Sequence, residues 1–308
     1  MEMVNPVKRS DSASPHAGGS FPLVLGDSLS LRTPAKVNWF LRITGKRKDG
    51  YHDIVSLMQC ISLYDELIFY HADSIAVESD IGIPVSDNLV YKAAALLKTC
   101  VSYRKGVRIV VKKHIPVSAG LGGGSSDAAC TLSGLNTLWG LGLQNQELSS
   151  IGAQIGSDIP FFFNSPAALV EGKGDRVNSL KIGPSLVLLL VKPHVKVSTA
   201  WAYAAFDRLH GSTLTKKPID IKLFCQALGK QDFFSLSKIL SNDLEDVVMR
   251  EYPAVSEIKH QLTEMGARVA AMSGSGPTVF GVFRDKEEAV KAAAAMKPSW
   301  CGVVETLI

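Results

Sequence analysis

The chain has 308 residues, 46% of them hydrophobic and 20% charged, enough to bury a substantial core as one large or two ordinary domains. Its formal charge of +4 is mild and no basic run exceeds Gly45-Lys46-Arg47-Lys48, so composition gives no support to nucleic-acid binding. The longest apolar stretch, 186–191, is far short of the roughly 20 residues a membrane helix needs; five scattered cysteines with no C-x-x-C pair fit neither a disulfide framework nor a zinc site, and a reducing cytoplasm is the expected location.

The first twenty residues are rich in Ser, Pro and Gly and lack an apolar signal core, which predicts a flexible tail; Glu2, Asp11 and the scarcity of Arg argue against an organelle transit peptide. From Lys36, the alternation of Val37, Trp39, Leu41 and Ile43 predicts a half-buried strand that turns at Asp49-Gly50 into a hairpin. Further strands are expected at 54–61 and 66–70, a helix at 88–99 and a strand at 107–115. A glycine-rich loop follows directly. After it, Ala128, Ala129, Leu132, Leu135 and Leu138 mark one helical face ending at Gly140. A second helix at 147–155 and strands at 167–170 and 186–191 come next. Beyond Pro193 the pattern reads as three helices over 198–265, then strand, Gly-rich turn, strand, helix and a final strand. A domain boundary near Pro193 is therefore expected.

The loop Pro116-Val117-Ser118-Ala119-Gly120-Leu121-Gly122-Gly123-Gly124-Ser125-Ser126 places four glycines and three serines between a strand and a helix. Glycines permit positive φ and close backbone approach, and the first helical turn offers unsatisfied N–H groups at the positive end of the dipole. A polyphosphate answers both features. A tight turn with Ser125 or Ser126 as N-cap would use one Gly and one Ser and leave the rest unexplained. No Lys follows Gly124, so this is not a Walker loop, and Ser rather than Gly at 125 breaks the dinucleotide fingerprint.

Phosphoryl transfer needs an acid near the nucleophile and a cation near the moving group. Asp158, between the helix stop at Gly156 and the apolar run from Ile159, is the candidate base; capping a short helix that has Pro160 in its first turn is its equal alternative. Lys36, beside Pro34 and Ala35 at a strand start, either points into a site or snorkels. The segment Met272-Ser273-Gly274-Ser275-Gly276-Pro277-Thr278 is either a second anion nest or a loose β-connection.

Taken together, TPAKVN at 33–38, PVSAGLGGGSSDAA at 116–129 and MSGSGPTVF at 272–280 resemble the three motifs of the GHMP small-molecule kinases in order and spacing. Within that family, PAKVNWFLRITGKRKDGYHDI, GSDIPFF and NDLE at 242–245 are most similar to the branch acting on a cytidine diphosphate derivative of methylerythritol. The likeness covers nearly everything after residue 30. It implies an α+β GHMP fold, with a ribosomal-protein-S5-like N-terminal domain containing a left-handed βαβ crossover and a ferredoxin-like C-terminal α/β domain. The expected layout is a flexible extension at 1–30, an ATP-binding domain at 31–192 and a second domain at 193–308. The resemblance further implies that Asp158 takes the proton of the 2-hydroxyl while Lys36 lowers its pKa and steadies the phosphoryl group. By the same likeness Asn38 lies near the reacting groups, Tyr51 and His52 hold the cytosine, Asn88 sits near adenine, and Gly274, Ser275 and Gly276 belong with the substrate. ATP with Mg²⁺ is the implied cofactor, the metal's ligands unassigned. The partner is a small molecule, with neither nucleic acid nor membrane.

Overall fold

The computed structural model describes residues 28–164, 166–211, 220–296 and 300–308 in full and 23–25 by backbone; the tail expected at 1–20 lies outside the described residues, and the expected flexible extension to residue 30 is too long, since 23–25 and 28–30 are paired strand. Strand β1 (Leu23–Leu25) pairs with the start of a long hairpin, β2 (Ser28–Lys46) and β3 (His52–Ala72). Gly50 in its turn adopts φ +87°, which glycine alone reaches without strain. The strands expected separately at 54–61 and 66–70 are one strand of 21 residues. Its register against β2 shifts at Pro34/Ala35, where proline has no N–H for the ladder, and again between Asn38 and Phe40. Residues 35–38 are thus bracketed by bulges, devices that re-aim side chains beside sites.

Strand β4 (Ile75–Ser79), helix α1 (Leu89–Cys100) and β5 (Gly106–Lys112) form a βαβ unit with a parallel β4/β5 pair. Helices α2 (Gly123–Leu138) and α3 (Asn145–Gly152) and a 3₁₀ turn (Ile159–Phe163) follow, then β6 (Ala167–Gly172) and β7 (Arg176–Ser179). β7 is short and polar, without an alternation that sequence could reveal. The sheet runs β1-β2-β3-β5-β4, with β5 and β6 dividing the length of β3 between them. One face is covered by α1, α2 and the 3₁₀ turn, which bury Phe69, Leu97, Leu132 and Phe161 among others.

The second half begins with β8 (Val187–Lys192), followed by α4 (Thr199–His210), α5 (Ile221–Gly229), α6 (Phe233–Ile239), α7 (Glu245–Glu251) and α8 (Pro253–Glu264). It ends with β9 (Val269–Met272), β10 (Val279–Phe283), α9 (Lys286–Ala295) and β11 (Trp300–Glu305). Five helices, not three, fill 198–265 among the described residues. The sheet order β11-β8-β10-β9, antiparallel throughout, is the ferredoxin-like one.

β8 lies at the centre of this second sheet, so the chain has crossed over before Val187 and the boundary expected at 192/193 falls too late. Its run of apolar residues is buried on both faces, and such a run carries no mark of which sheet it joins. A second core lies between the two sheets, where Trp39 meets Phe280 edge-on at 5.5 Å. A third lies between the far face of the second sheet and helices α4, α7, α8 and α9. The end of the chain returns to β3: Leu307 N donates to Cys60 O (2.9 Å), Gln59 Nε2 to Leu307 O (2.8 Å) and Glu305 N to Ser62 Oγ (2.8 Å).

Candidate active site

A cavity of about 560 Å³ opens where the glycine-rich loop, the 272–276 turn, β2 and α4 meet. Pro116 to Ser125 line it without a break. Helix α2 starts at Gly123, with Gly122 as N-cap at φ +70° and no side-chain cap bond. Its first backbone bond is Ser126 N to Gly122 O (2.9 Å), so the N–H groups of Gly123, Gly124 and Ser125 are not spent within the helix. The N-cap alternative for the two serines therefore fails. Ser126, expected among the cofactor contacts, turns away from the cavity: its hydroxyl donates to Pro34 O (2.6 Å) and bonds Thr33, tying the helix to β2.

Glycine is required by neighbours as well as by φ. A Cβ at Gly122 would lie 2.9 Å from Lys36 Cγ and 3.2 Å from Phe162 Cζ, and one at Gly120 would strike Ser273 O. Gly124 faces Leu89, near which Ile81, Ile83, Val90 and Asn88 also line the cavity. Asn88 caps α1, its Oδ1 accepting from Val90 N (2.9 Å).

The two residues singled out for chemistry meet. Lys36 Nζ donates to Asn38 Oδ1 (2.6 Å) and Gly120 O (3.1 Å) and lies 3.6 Å from Asp158 Oδ2, an ion-pair distance longer than a hydrogen bond. Lys36 is 3% exposed while the Asp158 side chain keeps 32%, which makes the acid the member open to a ligand. Burial pulls the Lys36 pKa below the ordinary lysine value, against the opposing pull of Asp158. Asp158 does occupy the N-cap position of the 3₁₀ turn, but its side chain makes no capping bond. Lys36 N donates to Leu121 O (2.9 Å), fixing the loop to β2 where the bulges bracket it.

Gly274, Ser275 and Gly276 also line the cavity. Gly274 and Gly276 have φ of +58° and +79°, and the Ser275 hydroxyl bonds Thr199 at 2.8 Å. Tyr51 and His52 are not part of the lining. Tyr51 is 58% exposed, with Lys173 Nζ 5.8 Å from its ring centroid. The His52 ring stacks on Tyr203 at 4.9 Å, and its Nε2 bonds Asp207 Oδ1 (2.8 Å), whose other oxygen takes Lys46 (2.6 Å). Because a carboxylate only accepts, Nε2 carries the hydrogen. Tyr203, which sequence reasoning missed, lines the cavity in place of His52; burial and the Asp158 and Asp243 charges push its phenol well up, keeping it neutral.

Also missed was a buried cluster behind the loop. Lys113, which lines the cavity, pairs with Asp65 and with Asp127 (2.7 Å), and Asp65 Oδ1 accepts from His114 N (2.6 Å) and Ile115 N (2.8 Å). Burial first, then the neighbouring Asp65, raises the Asp127 pKa to about 7 against the pull of Lys113. The Lys112-Lys113 pair just before Pro116 and the acid just after Ser126 were the available signals, indistinguishable in sequence from solvated charges.

Comparison with known proteins fits this geometry. Residues 88–166 match the GHMP kinases N terminal domain and 224–301 the GHMP kinases C terminal family. The 4-diphosphocytidyl-2-C-methyl-D-erythritol kinase of Thermodesulfovibrio yellowstonii is 47% identical over 284 residues, covering 91% of this chain and 98% of that protein. The chain belongs to that kinase family. The Pelobacter propionicus protein of the same name is 42% identical over 91% of this chain and 99% of its own length. A crystal structure of 4-(cytidine 5'-diphospho)-2C-methyl-D-erythritol kinase superposes with a TM-score of 0.78 at 29% identity, covering 90% of this chain and 98% of the other. Homoserine kinase from Cytophaga hutchinsonii, 18% identical with a TM-score of 0.67 over 94% and 98% of the two chains, shares the fold.

Proposed function

We propose that this chain transfers the γ-phosphoryl group of ATP to the 2-hydroxyl of 4-diphosphocytidyl-2-C-methyl-D-erythritol, giving the 2-phosphate and ADP in non-mevalonate isoprenoid biosynthesis. The observation that carries the chemistry is the Lys36–Asp158 pair, 3.6 Å apart, in the wall of a cavity that also holds the open start of α2. The names of the relatives carry the substrate. In this reading the polyphosphate rests on the N–H groups of Gly123, Gly124 and Ser125, at the positive end of the helix dipole. The base lies on the apolar residues beside Gly124. The substrate hydroxyl attacks the γ-phosphorus, the bond to the β–γ bridging oxygen breaks, and Asp158 accepts the hydroxyl proton. Lys36, held by Asn38 and Gly120, neutralises charge gathering on the moving group without having to reorient. Tyr203 offers a ring face to the cytosine end, with Tyr51 at the rim and His52 backing the ring.

Among the described residues no three His, Cys, Asp or Glu side chains gather as a metal cage. Mg²⁺ bound with ATP would keep waters and phosphate oxygens as its main ligands and need only one or two carboxylates. Asp127 Oδ1, buried in the cavity wall with no hydrogen-bond partner, is the oxygen that would complete such a shell. The ion's chemistry would be to neutralise the β- and γ-phosphates. No helix among the described residues is long and apolar enough to cross a membrane, and all five cysteines are free thiols.

The test is product formation from ATP and Mg²⁺ with a panel of alcohols: the cytidine diphosphate substrate, methylerythritol phosphate, homoserine and mevalonate. Turnover confined to the first is the expected result. Equal turnover of homoserine or mevalonate would overturn the substrate, and an Asp158→Ala protein as active as the original would overturn the mechanism.

A further inference from the structure

The NDLE sequence at 242–245 takes no part in the chemistry above, yet it clasps together β2, which carries Lys36, and the 272–276 turn beside it. Asn242 is 8% exposed. Its Nδ2 donates to Met272 O (2.9 Å) and Gly274 O (2.7 Å), and its Oδ1 accepts from Leu244 N (3.0 Å). Glu245 Oε1 accepts from Met272 N (2.9 Å), while its other oxygen pairs with Lys259 (2.7 Å). Toward β2, Leu41 N donates to Ser241 O (2.9 Å), Asp243 N to Leu41 O (2.9 Å) and Ile43 N to Asp243 Oδ2 (2.7 Å).

From the turn the bonding runs on into the site. Ser273 Oγ donates to Gly120 O (3.0 Å) and accepts from Asn38 N (3.3 Å). Gly120 O and Asn38 Oδ1 are the two neutral acceptors that hold the Lys36 ammonium. A Cβ placed at Gly274 would lie 3.3 Å from Lys36 Nζ, so the height of the turn and the place of the ammonium are set together.

We infer that Asn242 is a positioning residue for phosphoryl transfer: through the 272–276 turn, Ser273 and Gly120 it fixes where Lys36 Nζ stands relative to Asp158. The inference rests on the kinase reading of that pair. Asparagine suits the place because one planar amide supplies two donors to the turn's carbonyls and an acceptor to the start of α7. Aspartate has no donor and would oppose both carbonyl dipoles with a charge; alanine leaves both carbonyls buried and unpaired.

The experiment is a double-mutant cycle of Asn242→Ala and Ser273→Ala in the full chain, with kcat, acceptor KM, ATP affinity by calorimetry and Tm measured for each protein. Displacing catalytic groups from a distance costs on the order of 10²-fold, so Asn242→Ala should lower kcat by about that factor while ATP affinity stays near that of the unchanged protein. If Asn242 acts through Ser273, the double variant is no slower than the slower single one. Unchanged kcat in Asn242→Ala, or losses that multiply in the double variant, would overturn the inference. Should Asn242→Ala not fold, Asn242→Ser, which keeps one donor, enters the same cycle. If the unchanged protein turns over a different alcohol from the one proposed, the substrate reading fails and the cycle is run with that alcohol.

Discussion

The two glycine-rich turns touch backbone to backbone, yet they use glycine to opposite ends. In the loop at 116–126, Gly122 opens α2 without a capping side chain, so the following N–H groups remain for a ligand. In the turn at 272–276, polar backbone is spent on the protein: Asn242 takes the carbonyls of Met272 and Gly274, and Gly276 N donates to Ser273 O (2.9 Å). On the proposed reading one turn is a receptor and the other a brace, and Lys36 lies between them, bonded to Gly120 O and facing Gly274. A run of Gly and Ser therefore says that backbone comes close to something; only its hydrogen bonds say whether that something is ligand or protein.

The largest effect should come from removing the pair the two turns hold. Asp158→Ala and Lys36→Met should each lower kcat by about 10²–10⁴-fold, as loss of acid–base or charge-stabilising groups does. Near-normal Tm in Asp158→Ala, whose side chain is partly exposed, would separate chemistry from folding. Next, Gly122→Ala should weaken ATP binding and turnover together, since the new Cβ strains a left-handed backbone and displaces the Lys36 stem. Gly276→Ala should be milder, because the atom in the way is the thioether of a flexible Met272. If the two substitutions damage ATP affinity equally, the division into receptor and brace is wrong.

A subtler effect is expected in the pH profile. Burial lowers the Lys36 pKa, and the ammonium is the active form, so activity is kept at lower pH and lost as pH rises through the lowered value. The alkaline limb of kcat/KM should thus fall below the ordinary lysine range of about 10.4 and disappear from that position in Lys36→Arg. The smallest change is the reference for the others. Gly140, at φ +62° with open space around it, should cost about 1–2 kcal/mol as Ala through backbone strain, with turnover untouched.

Much of this was legible in the chain. The Asp49-Gly50 turn and the helical face after Ser126 follow from local periodicity and appear where expected; the strand through Val37 is present too, but it begins at Ser28 and is buried on both faces over 33–41 rather than half-buried. Lys36 and Asp158 were nameable from their odd settings and a family likeness, since acids and cations at strand and helix ends are where sites form. What could not be read depends on partners far along the chain. β8 is apolar on both faces and could have joined either sheet; Lys113 and Asp127 look like surface charges until the fold brings up Asp65, and Lys113 bridges the two acids. Tyr203 was one aromatic in a helix until its ring was found against His52. Ser126 belongs to the loop in sequence but to β2 in space, because Thr33 and Pro34 O lie behind it.

The stitching of residues 305–307 onto 59–62 has a consequence for the order of assembly. Gln59 and Ser62 find partners 248 and 243 residues away, among the widest separations in the molecule. As the polypeptide is made, the middle of β3 can pair at once with neighbouring β2, but its other edge at 59–62 waits for residues 305–307, and the closure entropy of so long a loop is met late. Until then one edge of the strand at Ile61 lacks the bridge that Thr306 supplies, and the strand is half-clasped.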